Sequence, residues 1–145
     1  MAPLARLAQL GLLGGRRIDT VFAQAGLDRG EFNVLAALRR NGAPYQLTPS
    51  QLADAALTSR GGMTKRIDRL EERGLVDRHS NGSDRRSLLV GLTAEGLRLT
   101  DDLITKHSAN ESRLIAALNP EELAALDNAV RKLLASLDDK HQQTG

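Results

Sequence analysis

The chain has 145 residues, enough for one domain with its own hydrophobic core and no need of a disulfide or metal staple. Hydrophobic residues make up 41% but aromatic ones only 2%, and Leu and Ala dominate the apolar set, so a mostly helical protein is expected rather than a sheet sandwich. Cysteine is absent, which excludes a disulfide framework, thiolate metal ligands and a redox-sensing thiol, and fits a reducing compartment such as the cytoplasm.

The net charge of +2 is unevenly spread. Residues 58–90 carry eight basic and five acidic side chains, whereas residues 91–145 carry six and nine. One region suits a polyanion and the other does not. The apolar run from Leu7 to Gly15 is short, preceded only by Arg6, and leads straight into Arg16 and Arg17, so it reads as helix rather than as a signal peptide. No apolar run approaches the ~20 residues that span a bilayer, and no membrane role is expected.

In chain order, Leu4 to Ala25 places Leu7, Leu10, Ile18, Val21, Phe22 and Ala25 at mostly helical spacing. Gly11, Gly14 and Gly15 interrupt it, each costing about 1 kcal/mol relative to Ala; they either permit close helix packing or mark a frayed start. Gly26 ends this helix. Asp28 with Glu31 three residues on has the capping-box arrangement, and Phe32, Leu35 and Leu38 form the buried stripe of a second helix that stops at Asn41-Gly42-Ala43-Pro44. Tyr45-Gln46-Leu47 is an extended link or minor strand. Thr48, Pro49 and Gln51 give a second start signal, opening a compact helix with Leu52, Ala53, Ala56 and Leu57.

A very few residues later Thr58 or Ser59 can cap a fourth helix. Met63, Ile67 and Leu70 fall on one of its faces, and Gly61, Lys65, Asp68 and Arg69 on the other. Gly74 stops it; Leu75 to His79 and Leu88 to Leu92 then read as two strands joined by a basic turn. Two short helices with a tight junction make a helix-turn-helix, and the hairpin makes it a winged one. Thr93 to Gly96 opens a helix of about 25 residues carrying Leu97, Leu103, Ile104, Leu114, Ile115 and Leu118. Asn119-Pro120-Glu121-Glu122 opens the last, with Leu123, Leu126, Val130, Leu133, Leu134 and Leu137; both starts place carboxylates at the positive end of the helix dipole. A lobe this small has little to bury these faces against, so a homodimer through the first and last two helices is expected.

Residues at the start of a recognition helix reach base edges and phosphates. The candidates are Ser59, Arg60, Thr64 and Lys65, with Arg69 nearer the backbone and Asp68 and Glu72 as competing partners for it. Arg and Lys pair with guanine acceptors and the Thr methyl touches thymine. Gly61 and Gly62 allow a close approach of the backbone to DNA. His79, His107 and His141 are scattered and lack companions at metal-site spacing, so no metal, cofactor or catalytic constellation is expected and the chain is not read as an enzyme.

Leu52-Ala53, the run from Thr58 to Val76, Ser83-Asp84-Arg85-Arg86 and the run from Val90 to Gly96 together closely resemble the MarR family of bacterial and archaeal transcriptional regulators. The resemblance implies a mainly α protein with a small β-hairpin wing: a winged helix-turn-helix lobe over about residues 28–93, with residues 1–25 and 94–140 as dimerisation helices. It further implies a recognition helix in the major groove and a wing tip in the flanking minor groove. Arg86 matches the residue that enters the minor groove, Asp84 would orient it through a charge-assisted hydrogen bond, and Arg85 would face a phosphate. A small effector, often anionic or phenolic, would bind between the DNA lobe and the dimer helices and lower DNA affinity. The function implied is a dimeric repressor released from a pseudo-palindromic operator; the alternative is an architectural or non-specific DNA-binding protein without an effector.

Overall fold

A computed structural model describes residues 2–56, 60–81 and 84–142, leaving the side chains of residues 60, 81, 84–87 and 139–142 outside the description. Leu57, Thr58 and Ser59, expected as a core residue and two caps, lie outside the described residues. The elements are α1 (Ala2–Ala23), α2 (Arg29–Arg40), β1 (Gln46–Leu47), α3 (Pro49–Ala56), α4 (Arg60–Glu72), β2 (Val76–Asn81), β3 (Asp84–Leu92), α5 (Ala94–Leu114) and α6 (Pro120–Gln142). The chain forms two compact units, residues 1–110 and 111–145.

Local chemistry sets the element boundaries in the first unit. The Asp28 carboxylate accepts from the Glu31 amide at 2.7 Å while the Glu31 carboxylate accepts from the Asp28 amide at 3.2 Å, so the capping box closes in both directions. Thr48 and Gln51 do the same for α3, at 3.1 and 2.9 Å. α1 and α4 end alike: Gly26 and Gly74 take φ of +73° and +71°, and the next amide, of Leu27 or Leu75, donates back to Phe22 or Leu70 at 3.0 Å. These left-handed positions would strain any residue with a Cβ.

α1 runs unbroken through its glycines. At Gly15 the reason is visible, because the Arg29 guanidinium donates to the Gly15 carbonyl at 3.1 Å and a Cβ there would sit 2.9 Å from it. Gly11 and Gly14 face open space.

The antiparallel sheet has the order β1-β3-β2. β1 opposes only Gly91 and Val90, whereas β2 follows β3 from Val76 opposite Leu92 outward, with a register shift between Ser80 and Asn81. Phe22, Phe32, Leu35, Leu38, Leu52, Met63, Ile67, Leu70, Leu75, Val90 and Leu103 fill one core, each side chain contributing ~1.5–3 kcal/mol of burial. α5 joins the base of the hairpin closely: the Thr93 hydroxyl donates to the Gly74 carbonyl at 2.7 Å and accepts from the Gly96 amide at 3.0 Å. A Cβ on Gly96 would lie 1.9 Å from the Leu75 carbonyl oxygen, so only glycine allows that approach.

In the second unit Asn119 caps α6, accepting from the Glu122 amide at 2.8 Å while the Glu122 carboxylate accepts from the Asn119 amide. Leu133, Leu134 and Leu137 of α6 are exposed, as are Leu4, Leu10, Leu12 and Leu13 of α1 in the first unit.

Candidate nucleic-acid interface

α4 separates its faces as the spacing predicts. Met63 and Ile67 are 1% exposed and Leu70 is fully buried, while Gly61, Thr64, Lys65 and Asp68 are exposed. A Cβ added to Gly61 would meet nothing within 4 Å, so the backbone there is open to close approach. Arg60 opens the helix, with its side chain outside the described atoms, and Ser59 lies outside the described residues.

The cations of this helix do not share one fate. Arg66 lies against α2, where a Cβ on Gly30 would meet its Nε at 2.4 Å. Arg69 faces the capping box at the start of α2, 3.9 Å from the Asp28 carboxylate and 3.7 Å from that of Glu31. Arg73 donates to the Ala25 and Gly26 carbonyls at 2.8 and 3.0 Å, where α1 ends and its dipole favours a cation. Spaced by three and four, these arginines share one side of the helix and hold the α1–α2 corner. The carboxylates near Arg69 are thus Asp28 and Glu31 of the α2 start, not the Asp68 or Glu72 expected as its competing partners, and its side chain stays largely exposed.

Asp68 has another partner. Arg78 of β2 reaches across to α4, its two terminal nitrogens 2.5 Å from the Asp68 carboxylate and 2.9 Å from that of Glu71. Burial opposes the charge of Arg78, but hydrogen bonding to Asp68 and the fields of both carboxylates outweigh it and raise its affinity for the proton above that of an ordinary guanidinium. On the opposite pleat of the same strand, His79 Nε2 lies 2.7 Å from Asp77 Oδ1.

Asp84, Arg85 and Arg86 begin β3, four residues earlier than the sequence pattern starts that strand; Asp84 lies opposite Asn81, and the register shifts between that pair and Ser80 opposite Leu88. The side chains of Asp84, Arg85 and Arg86 lie outside the described atoms. Hydrophobic alternation could not reveal this extension, because residues 84–87 are all polar.

Beside the lobe an open cleft of about 720 Å³ is lined by Phe32, Asn33, Arg39, Ala56, Ile104 and His107, among others. The volume lies within the range of small-molecule sites. Arg39 is held by Asp101 at 2.7 Å, a bond that also raises its proton affinity, and its guanidinium carbon lies 5.3 Å from the centre of the Tyr45 ring. His107 packs against Phe22 and Phe32, whose rings stack at 4.2 Å. Arg39 and His107 carry no signal of this convergence in the sequence, because it depends on how α2 and α5 pack. Among the described residues no cluster of three His, Cys, Asp or Glu side chains has the arrangement of a metal site, and no helix is long and apolar enough to cross a membrane.

The MarR family profile matches residues 25–87. The transcriptional regulator PecS of Dickeya dadantii is 37% identical over 139 residues, covering 94% of this chain and 84% of its own length. The chain belongs to the MarR family. The fold agrees: AbsC, a MarR family transcriptional regulator from Streptomyces coelicolor, superposes with a TM-score of 0.85 at 27% identity over 95% of this chain and 93% of AbsC. A mutant MarR from Escherichia coli complexed with operator DNA gives 0.80 at 26% identity over 91% and 94%. Membership makes this chain a transcriptional regulator and not an enzyme.

Proposed function

We propose that the chain is a dimeric, sequence-specific DNA-binding repressor that a small effector releases from a pseudo-palindromic operator. The observation that carries this is the division of the cations on and just after α4: Arg66 and Arg73 are spent on the α1–α2 corner, while Gly61, Thr64 and Lys65 remain on an exposed face beside a basic hairpin. In this reading Ser59, Arg60, Thr64 and Lys65 read base edges in the major groove, and Arg69 stays near the backbone. Asp84, Arg85 and Arg86 form the wing, with Arg86 in the minor groove, oriented by Asp84, and Arg85 on a phosphate. The operator complex of the Escherichia coli relative supports the assignment to DNA.

The exposed leucines of α1 and α6 support a second copy of the chain as their cover. The cleft near Arg39, Arg40 and His107 supports an anionic or phenolic effector, which a guanidinium and an aromatic wall would hold. DNA as partner supports a cytoplasmic location.

Selection of bound duplexes from a random pool, with and without small aromatic acids, tests the proposal. The expected product is a palindrome with half-sites ~10 bp apart, lost when the effector is added. Steep salt dependence with no enriched sequence would favour a non-specific architectural protein instead. Lys65→Ala should alter which bases are preferred, while Arg86→Ala should weaken binding with little change in preference.

A further inference from the structure

Resting on the DNA-binding reading above, we infer that Arg78 is the positioning residue that fixes the wing relative to the recognition helix, by gripping Asp68 and Glu71 with the two arms of one guanidinium. The geometry places it where such a brace is needed. β1 supports the hairpin only at Gly91 and Val90, and Arg78 is the residue opposite Val90. From His79 and Leu89 outward the two strands have no third strand beside them, and an isolated two-stranded ribbon is marginally stable and free to bend. Arg78 therefore sits at the point where the hairpin leaves the lobe.

The pleat turns Val76 and Arg78 toward one face of the sheet and Asp77 and His79 toward the other. Val76 is buried, and Arg78 continues that face outward onto α4 as a charged contact, its side chain 23% exposed. Its two acceptors are three residues apart on the helix, so they stand on one side, one turn apart. A planar fork spans both, which a single ammonium cannot do. Asp68 also lies one turn beyond Thr64 and Lys65, so the brace grips the helix directly behind the residues assigned to base reading. A two-point grip fixes the angle between the wing and the recognition helix, and with it the simultaneous entry of both into adjacent grooves.

Binding to a selected palindrome by fluorescence anisotropy tests this, using long duplexes and duplexes trimmed so that the minor groove flanking each half-site is missing. The informative variant is Asp68→Ala combined with Glu71→Ala, which alters only exposed helical positions to the best helix former and leaves Arg78 in place. Removing two negative charges should by simple electrostatics tighten binding to DNA. The brace demands the opposite: about tenfold weaker binding of the long duplex, little change on the trimmed one, and an unchanged melting temperature. Arg78→Ala should show the same selective loss, and Arg78→Lys should recover part of it. Equal or tighter binding of the long duplex by the double variant, or equal losses on both duplexes, would overturn the inference while leaving the DNA-binding reading intact. A wild-type protein that prefers no duplex overturns both.

Discussion

α1 and α2 lie side by side in the chain and use their apolar residues in opposite ways. Half of the twelve residues of α2 are buried, including Glu31, Val34, Leu35 and Leu38, whereas among the 22 residues of α1 only Phe22 is. Leu4, Leu10, Leu12 and Leu13 of α1 are about half exposed or more. α2 is thus an internal wall of the lobe, while α1 sends Phe22 into the core and leaves the leucines of its first half for another surface. Helical amphipathicity is visible in both, which teaches that periodicity reports the presence of a buried face but not whether its cover comes from the same chain.

This contrast can be broken by substitution. Leu35→Ala should cost the most, ~2–5 kcal/mol in chemical denaturation, because the cavity opens in the centre of a closed core. Gly96→Ala comes next: its methyl would press on the Leu75 carbonyl, and a loss of ~1–3 kcal/mol is expected from the forced shift of α5. Asp28→Ala removes the acceptor that caps α2 and should lower stability by ~1 kcal/mol, readable as a lower melting temperature. Leu10→Glu with Leu13→Glu should have the least effect on the lobe. Hydrogen-exchange protection of α2 should persist while sedimentation shifts from dimer to monomer, and protection lost throughout α2 would show that the first half of α1 also belongs to the lobe's own core.

Much of the local structure was legible in the residues. The Asp28–Glu31 and Thr48–Gln51 starts, the glycine ends of α1 and α4, and the Met63, Ile67 and Leu70 stripe all depend on neighbours three to seven positions apart, which a sequence displays directly. The exposed reading face at Thr64 and Lys65 follows from the same spacing. The early start of β3 was not legible, because Asp84 to Ser87 carry no apolar alternation.

The helices, their order, the hairpin and the placing of a cationic helix just before it follow from local propensity and periodicity, which the residues carry along the chain. The fate of each cation was set by packing in three dimensions. Arg66 and Arg73 look as free in the sequence as Lys65, yet the packing of α4 on α2 turns them to the α1–α2 corner. Arg78 finds Asp68 and Glu71 only once β2 is laid against α4, and Arg39 meets Asp101 across 62 positions of chain. An ionic contact depends on distance in space, and charge along a chain carries no record of it until the core has set the helices and strands in place.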